Sequence, residues 1–293
     1  MPELPEVETI RIGLKELLPE KTVKAVDFDW QKSFPNAKHD VDNFLIGAKI
    51  TGVKRRAKVL IIDLDTSYSL IIHLKMTGQL VFRSNDEKQR FGAGHPTSSL
   101  IDSLPDRSTH VTLDLGDSKL FFNDQRKFGW VRLVPTIEIP QIDFFKKVGP
   151  EPLADDFTAH EFIERLLRRK NSNIKSVLLD QTVIAGVGNI YADESLFAAG
   201  IHPETVVMGI KKTKLEALFS ELQAVLRMSI EKGGSTDKNY VDAEGKKGSY
   251  LTFAKVFRRE GKPCQSCGTA IDKIRVAGRG THVCPSCQKK AKS

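Results

Sequence analysis

The sequence predicts an α+β protein of two domains, and three observations lead to this prediction. Residues 22–135 consist mainly of short β-branched and aromatic runs, residues from 158 onward follow helical spacing, and the four cysteines lie between positions 264 and 287. With 293 residues the chain is long enough for about two domains. We therefore expect an N-terminal β domain and a C-terminal helical domain that ends in a small cysteine module.

The first helix is predicted over residues 3–17. Proline is favoured at the first helical position and carboxylates are favoured in the first turn, and both occur here. Four apolar residues then recur at the spacing of one helix face, namely Val7, Ile10, Leu14 and Leu17. An amphipathic helix with an acidic N-terminus is a sufficient explanation of this segment.

The residues that begin this helix also allow a catalytic interpretation. Removal of Met1 would leave Pro2 with a free secondary amine, and an α-amino group has a pKa of about 8, low enough for a nucleophilic fraction at neutral pH. Glu3 and Glu6 would stand beside this amine as proton carriers or electrostatic partners. The two interpretations are compatible because a helix could hold the amine in place.

Short strands are predicted through residues 22–135. Turn signals separate them and no helical pattern intervenes, so we expect antiparallel sheets that form a sandwich or a flattened barrel. Residues 84–108 are rich in Ser, Gly, Pro and charge, and they predict a long loop, which in a compact domain is usually functional or mobile. The predicted strands are 58–65, 69–74, 79–82, 109–115, 119–123 and 129–134.

Prolines between residues 135 and 155 predict a linker, and helical patterns follow it. The helices are expected at 158–169, 173–180, 189–199 and 211–231, and a polar, Gly-rich loop is expected at 233–250. The domain boundaries that result are 1–135 for the β domain, 136–155 for the linker, 156–250 for the helical domain and 251–293 for the cysteine module.

The four cysteines have the spacing of a structural zinc site. The pattern Cys264-x2-Cys267-x16-Cys284-x2-Cys287 offers four thiolates to one tetrahedral Zn²⁺. Because protein would fill all four positions, this zinc would be structural. A pair of redox-active dithiols is the alternative, but paired C-x-x-C motifs in a cytosolic chain are more typical of metal binding.

The charge distribution indicates a nucleic-acid partner. The chain has a net charge of +8, and residues 257–293 alone contain nine Lys or Arg against two acids. Such a basic module is typical of contact with phosphates, although solubility would explain a weaker bias. We expect a cytoplasmic protein, because no apolar run approaches the ~20 residues of a membrane span and the N-terminus has no signal-peptide pattern.

Two further segments have the chemistry of DNA contacts. Asn189 follows Gly186-Val187-Gly188 and would begin a helix whose free N–H groups suit a phosphate, although a simple N-cap is the alternative. Arg126 and Phe128 lie in a predicted turn, where they could enter an opened base stack. The alternatives are a salt bridge for Arg126 and a place in the core for Phe128.

These motifs together resemble the formamidopyrimidine-DNA glycosylase family. The resemblance rests on six segments in the family's order, which span nearly the whole chain: the opening Pro-Glu-Leu-Pro-Glu-Val-Glu, the runs 55–58, 73–78 and 123–129, the stretch from Lys175 to Pro203, and the cysteine module. Three positions depart from the family's pattern, with Lys75 in place of Gly, Gln125 in place of Pro and Lys127 in place of Arg.

The resemblance implies a bifunctional DNA repair glycosylase and AP lyase. The implied fold is an N-terminal helix with an antiparallel β-sandwich, followed by a helix–two-turns–helix domain and a β-hairpin zinc finger. The implied substrate is an oxidised purine, such as 8-oxoguanine or a formamidopyrimidine, in double-stranded DNA. The implied protein is a monomer with one structural Zn²⁺ and no membrane association.

The resemblance also implies roles for single residues. Pro2 would be the nucleophile and Glu3 the proton donor, with Glu6 in support, while Lys58 and Arg279 would contact the reacting sugar and its phosphates. The implied DNA contacts are Met76, His110, Arg126, Phe128, Lys175 and Asn189. Met76 would fill the space of the flipped nucleotide, Arg126 would probe the estranged base, and Ser235 and Tyr240 would belong to a loop over the lesion.

Two other functions remain open at this point. An endonuclease VIII-like enzyme shares Pro2, Glu3, the helical motif and the zinc finger but prefers oxidised pyrimidines. A non-catalytic zinc-finger DNA-binding protein would explain the charge and the cysteines, but it has no need of Pro2 beside two carboxylates. Leu4 and the loop at 233–250 favour the purine enzyme.

Overall fold

The computed structural model describes residues 2–95, 97–234 and 250–290, and the chain forms two compact units. Among the described residues, the first unit contains 2–146 and 232–234, and the second contains 147–231 and 250–290. The expected α+β fold is confirmed, with antiparallel sheets in the first unit and helices with a two-stranded hairpin in the second.

Helix α1 (Leu4–Leu17) begins the first unit. The backbone N–H of Glu3 donates to Glu6 Oε2 at 2.7 Å as part of a reciprocal capping box, which explains why the helix begins at this acidic segment. Val7, Ile10 and Leu14 are buried on one face, as their spacing predicts. A short helix, α2 (Lys38–Asp40), and a π turn (Val41–Leu45) follow.

Two antiparallel sheets make up the body of the first unit. The five-stranded sheet has the order β1-β7-β8-β5-β6 and the four-stranded sheet has the order β2-β3-β4-β9. The strands are β1 (Ala25–Phe28), β2 (Ile50–Arg56), β3 (Val59–Leu64), β4 (Tyr68–His73), β5 (Gly78–Ser84), β6 (Arg90–Gly94), β7 (Thr109–Asp114), β8 (Ser118–Asp124) and β9 (Trp130–Pro135). Their inner faces share one hydrophobic core with α1.

The segment predicted as a long loop contains regular structure. Strand β6 pairs with β5 and buries Phe91 and Ala93 in the main core, and a 3-10 helix follows at Ser98–Leu100. Gly92 and Gly94 obscured the alternating pattern of this strand, because glycine has no side chain with which to signal a buried face. Strand β2 was also not predicted, since its outward side chains are mostly basic.

The segment predicted as a linker contains a 3-10 helix (Thr136–Gln141) and helix α3 (Asp143–Lys147). Ile139, Phe144 and Phe145 pack on the outer face of the four-stranded sheet against Val59 and Ile71. This packing covers an apolar sheet face that would otherwise be exposed to water.

The second unit consists of helices α4 (Ala159–Leu167), α5 (Ile174–Leu179), α6 (Asn189–Ala198), α7 (Lys212–Glu231) and α8 (Tyr250–Phe253), with a 3-10 turn at Val207–Gly209. Thr158 and Asn173 accept hydrogen bonds from Glu161 N and Ser176 N, so both cap their helices. No helix among the described residues combines the length and apolar character that a bilayer crossing requires.

Strands β10 (Asp272–Val276) and β11 (Arg279–Val283) form an antiparallel hairpin beside the cysteines. A small cluster joins this module to helix α6, because Phe197 packs with Val256, Ile271 and the buried thiols of Cys264 and Cys284. The module therefore has only a minor apolar core of its own, which is typical of a domain that a metal stabilises.

Candidate catalytic residues and nucleic-acid interface

The N-terminal residues are held at the start of α1. Pro2 is buried, and Glu3 and Glu6 are only 2% and 4% exposed. Because Glu6 accepts the Glu3 N–H, the backbone that follows Pro2 has a fixed position. Two carboxylates in the first turn also complement the helix dipole.

Lys58 lies in the turn between β2 and β3, after Ala57, which has a left-handed φ of 53°. It is 7% exposed, and a lysine buried to this extent usually has partners. Arg55 holds this turn: Arg55 Nη1 donates to the carbonyl of Ala57 at 2.9 Å, and Arg55 Nε donates to Glu8 Oε2 at 2.8 Å. Glu8 belongs to α1, so this pair of bonds joins the turn to the helix.

The turn between β4 and β5 contains Met76. Lys75, which precedes it, has a left-handed φ of 50°, a conformation that glycine adopts more readily than lysine. The backbone N–H of Lys75 donates to His73 Nδ1 at 2.9 Å. Burial, with the nearby charges of Lys75 and Lys58, lowers the pKa of His73 to about 3, so its imidazole is neutral at physiological pH.

The turn between β8 and β9 presents Arg126 and Phe128 to solvent. Phe128 is 54% exposed and the Arg126 guanidinium lies 4.8 Å from the centre of its ring. Lys127, at a left-handed φ of 56°, stacks its ammonium on Trp30 at 4.8 Å. An exposed aromatic ring beside an arginine has the shape and chemistry of a wedge for a base stack.

Asp124 organises this turn and joins it to the turn of Met76. Its carboxylate is fully buried and accepts the backbone N–H groups of Phe128 at 2.8 Å and Gly129 at 2.6 Å. The hydroxyl of Thr77 also donates to Asp124, and Thr77 in turn accepts the N–H of Arg126 at 3.1 Å. One carboxylate therefore fixes both turns relative to each other.

His110 lies beneath the same turn and is 1% exposed. Its Nε2 lies 3.0 Å from the carbonyl oxygen of Asp124, and its Nδ1 lies 2.8 Å from Asp29 Oδ1. The side chain therefore supports the backbone at the start of the turn from inside the fold.

In the second unit, Asn189 begins helix α6 and contacts the hairpin. Its Nδ2 donates to the carbonyl of Gly280 at 2.9 Å. Arg279 precedes this glycine and is exposed, directly after a turn in which Ala277 and Gly278 both have positive φ. Arg275, on the opposite strand of the hairpin, is also exposed.

Lys175 is fully buried in the same unit. Its ammonium lies 2.6 Å from Asp193 Oδ1 and 2.6 Å from Thr281 Oγ1, and the N–H of His282 donates to Asp193 Oδ2 at 2.9 Å. This ion pair joins α5 and α6 to strand β11. The phosphate contact that the resemblance implied for this lysine stays a prediction, since in the free protein its ammonium is engaged inside the fold.

The four cysteines fit a tetrahedral metal site. Their sulfur atoms all lie within 4.8 Å of one another, with 3.4 Å between Cys267 and Cys284 and 3.9 Å between Cys264 and Cys287. Zinc–sulfur bonds of about 2.3 Å in a tetrahedron place sulfurs about 3.8 Å apart. Backbone N–H groups also donate to Cys264 and Cys284, as is common for thiolates.

Comparison with known proteins agrees with this geometry. The chain matches the models of the formamidopyrimidine-DNA glycosylase N-terminal domain over residues 1–131, of its H2TH domain over 148–240, and of the zinc finger found in FPG and IleRS over 261–290. It is 38% identical over 296 residues to the formamidopyrimidine-DNA glycosylase of Desulfitobacterium hafniense, which covers 98% of this chain and 100% of that protein. The enzyme of Herpetosiphon aurantiacus is 42% identical over 293 residues, with coverage of 98% and 100%.

The chain belongs to the formamidopyrimidine-DNA glycosylase family. Solved structures of this family have the same fold. A Lactococcus lactis FPG mutant in complex with DNA that contains Fapy-dG has a TM-score of 0.86 at 34% identity, and covers 99% of this chain and 100% of that chain. The Lactococcus lactis Fpg in complex with DNA that contains an abasic site has a TM-score of 0.85 at 33% identity, with coverage of 98% and 100%.

The predicted site residues of this family member divide between the two units. Pro2, Glu3, Glu6, Lys58, Met76, His110, Arg126 and Phe128 lie in the first unit, and Lys175, Asn189, Arg279 and the four cysteines lie in the second. Ser235 and Tyr240 lie outside the described residues. The family match and the cysteine geometry confirm one zinc site.

Several residues that shape the site were not predicted from the sequence. Two of the contacts that hold it join residues far apart in the chain, between Asp124 and Thr77 and between Arg55 and Glu8. Asp124 alone carried a signal, because an Asp at the start of a turn often accepts the N–H groups that follow it.

Proposed function

We propose that this protein is a DNA glycosylase and AP lyase that removes oxidised purines, such as 8-oxoguanine and formamidopyrimidines, from double-stranded DNA. The observation that supports it most is the start of α1, where Pro2 precedes two carboxylates that fix the backbone, in a chain similar to these glycosylases over its full length. The Fapy-dG and abasic-site complexes of its Lactococcus lactis relatives support the substrate class.

The proposed reaction begins with a flipped nucleotide. Arg126 and Phe128 enter the stack beside the lesion, Arg126 meets the estranged base, and Met76 fills the space that the nucleotide leaves. Base extrusion costs a few kcal/mol, which contacts of this kind offset. Asp124 already holds both turns in place, so their backbone does not have to become ordered before these side chains enter the stack.

Pro2 then attacks C1′ of the damaged nucleotide, after removal of Met1 has freed its amine. The C1′–N bond to the base breaks, Glu3 protonates the sugar ring oxygen, and the opened sugar remains joined to Pro2 as an iminium. This electron sink acidifies the C2′ proton. Its loss expels the 3′ phosphate by β-elimination, and a second, δ-elimination expels the 5′ phosphate.

Lys58 and Arg279 contact the phosphates and the sugar in this proposal, with Asn189 on a flanking phosphate. The zinc ion would be held by the four cysteines, where it stabilises the hairpin that carries Arg279. We further propose that the protein acts in the cytoplasm and binds DNA as a monomer. Sedimentation with and without a duplex would test the monomeric state.

Borohydride trapping tests the proposed reaction. A duplex with one 8-oxoguanine opposite cytosine is incubated with protein whose N-terminal mass is known, and reduction should give a covalent protein–DNA band. The band should disappear when the Pro2 amine is blocked and fall sharply in Pro2→Gly. If Met1 is absent and the duplex binds, but no band forms, the proposed lyase mechanism is wrong.

The same assay separates the purine enzyme from an endonuclease VIII-like enzyme. A second duplex carries thymine glycol in place of 8-oxoguanine. Faster release of 8-oxoguanine supports the proposed substrate class, and faster release of thymine glycol overturns it.

A further inference from the structure

Arg55 ties the turn that carries Lys58 to helix α1. Arg55 donates from Nε to Glu8 Oε2 at 2.8 Å and from Nη1 to the carbonyl of Ala57 at 2.9 Å. The carbonyl of Ala57 belongs to the peptide bond whose nitrogen is that of Lys58. A fixed position of this carbonyl therefore fixes the plane from which the Lys58 side chain departs.

Glu8 is a firm anchor for this contact. It lies on α1 two residues after Glu6, its side chain is 17% exposed, and Arg11 donates to its other oxygen at 2.7 Å and 3.0 Å. Burial alone would raise the pKa of Glu8, but hydrogen bonds from Arg11 and Arg55 outweigh burial and hold the pKa below its usual range. The carboxylate is therefore ionised at neutral pH.

The turn itself needs such a restraint. Ala57 has a left-handed φ of 53° with no exposure, a conformation that costs a residue other than glycine about 1 kcal/mol or more. Arg55 has a side chain that is only 10% exposed and two acceptors in the directions of its guanidinium fork. Lysine at this position has no planar fork, so it would hold the two acceptors in a less fixed geometry.

We propose that Arg55 is a positioning residue for the lyase reaction, which fixes Lys58 relative to the N-terminal residues of α1 through its bonds to Glu8 and Ala57. The proposal rests on the proposed function, because it assumes that Lys58 and the α1 N-terminus act on the same sugar. Catalytic groups that act together depend on distances held within about 1 Å, and loss of such a restraint can cost up to about 100-fold in rate.

Arg11→Met is the matched control for Arg55→Met. Both variants remove one guanidinium from Glu8, but Arg11 makes no hydrogen bond to the turn among the described residues. The rate of strand cleavage is measured in single turnover on a duplex with a preformed abasic site. We expect about a tenfold loss in Arg55→Met, less than about a threefold loss in Arg11→Met, and partial recovery in Arg55→Lys. Thermal unfolding of each variant establishes that it is folded.

A double-mutant cycle with Lys58→Ala tests whether Arg55 acts through Lys58. In the Lys58→Ala background, Arg55→Met should change the remaining cleavage rate by less than about twofold, because the group that it positions is absent. A full tenfold loss in that background, or equal losses in Arg55→Met and Arg11→Met, would overturn the proposal. Absence of cleavage and of a trapped band in the wild-type protein would instead contradict the proposed function itself.

Discussion

His73 illustrates how one buried side chain makes the stability of this fold depend on pH. It ends β4 directly before the turn of Met76, and its pKa is lowered to about 3. An unfolded chain would titrate this group at about 6.5. Between about pH 6.5 and about pH 3 the unfolded state therefore binds a proton that the folded state does not, so stability is lost as the pH falls through this window.

We predict that His73→Asn makes the stability of the protein less dependent on pH. Asparagine can still accept the Lys75 N–H but does not titrate. His73 lowers the free energy of unfolding by about 2 kcal/mol when the pH falls from 7 to 5, and this decrease should be absent in the variant. Urea unfolding at both pH values gives this difference. His39→Asn, on an exposed histidine, is the control, and equal pH dependence in wild type and His73→Asn would contradict the prediction.

At the residue scale, the sequence predicted which side chains lie in the turn between two strands. It did not predict the distant residues that hold this turn in place. Arg126 and Phe128 were predicted in a turn because charged and aromatic residues there interrupt two alternating strands. The contact between Asp124 and Thr77 was hidden, because Thr77 lies 47 residues earlier and approaches Asp124 only when β5 and β8 pair. For Lys175, the sequence showed a charge but not the buried Asp193 that engages it.

At the scale of elements, the hairpin of β10 and β11 has little apolar packing besides its metal ligands. Its local apolar cluster contains few residues, and two of them are the ligands Cys264 and Cys284. The spacing of the cysteines was sufficient to predict this element, because metal ligation requires little of the remaining sequence. Strand β6 lacked such a signal, since two glycines interrupt its apolar pattern.

We predict that zinc removal unfolds the hairpin and abolishes DNA binding while the core of the first unit remains folded. The chain contains four cysteines in all, so titration of its thiols with an organomercurial should release one zinc per four thiols. Duplex affinity and the near-ultraviolet dichroism of the protein are measured before and after release. Duplex binding that survives complete release of zinc would contradict the role given to the hairpin, and two disulfides without zinc would favour a redox site.

At the scale of the whole molecule, the net charge of +8 should make DNA binding strongly dependent on salt. Each phosphate contact contributes about 0.9 to the slope of log affinity against log salt concentration. The exposed Arg279 and the buried Lys175 are therefore expected to contribute differently to this slope, although both were assigned to DNA contacts by resemblance.

We predict that Arg279→Gln lowers the magnitude of this slope by about 1, whereas Lys175→Met combined with Asp193→Asn leaves it unchanged. The double substitution removes the buried ammonium together with the charge of its partner, so no ion is left unpaired in the interior. Duplex binding is measured from low to physiological salt. A slope that falls by about 1 in the double variant would show that Lys175 contacts a phosphate when DNA is bound.

The carboxylate of Asp124 has a thermodynamic consequence for DNA binding. Because it already holds the turns of Met76 and Phe128 together in the free protein, these two turns have little conformational entropy left to lose when they enter the duplex. The heat capacity change of complex formation should then come from apolar surface buried around Met76 and Phe128 and from distortion of the DNA, with little contribution from folding of these turns. Temperature should accordingly affect the affinity mainly through the cost of opening the base stack.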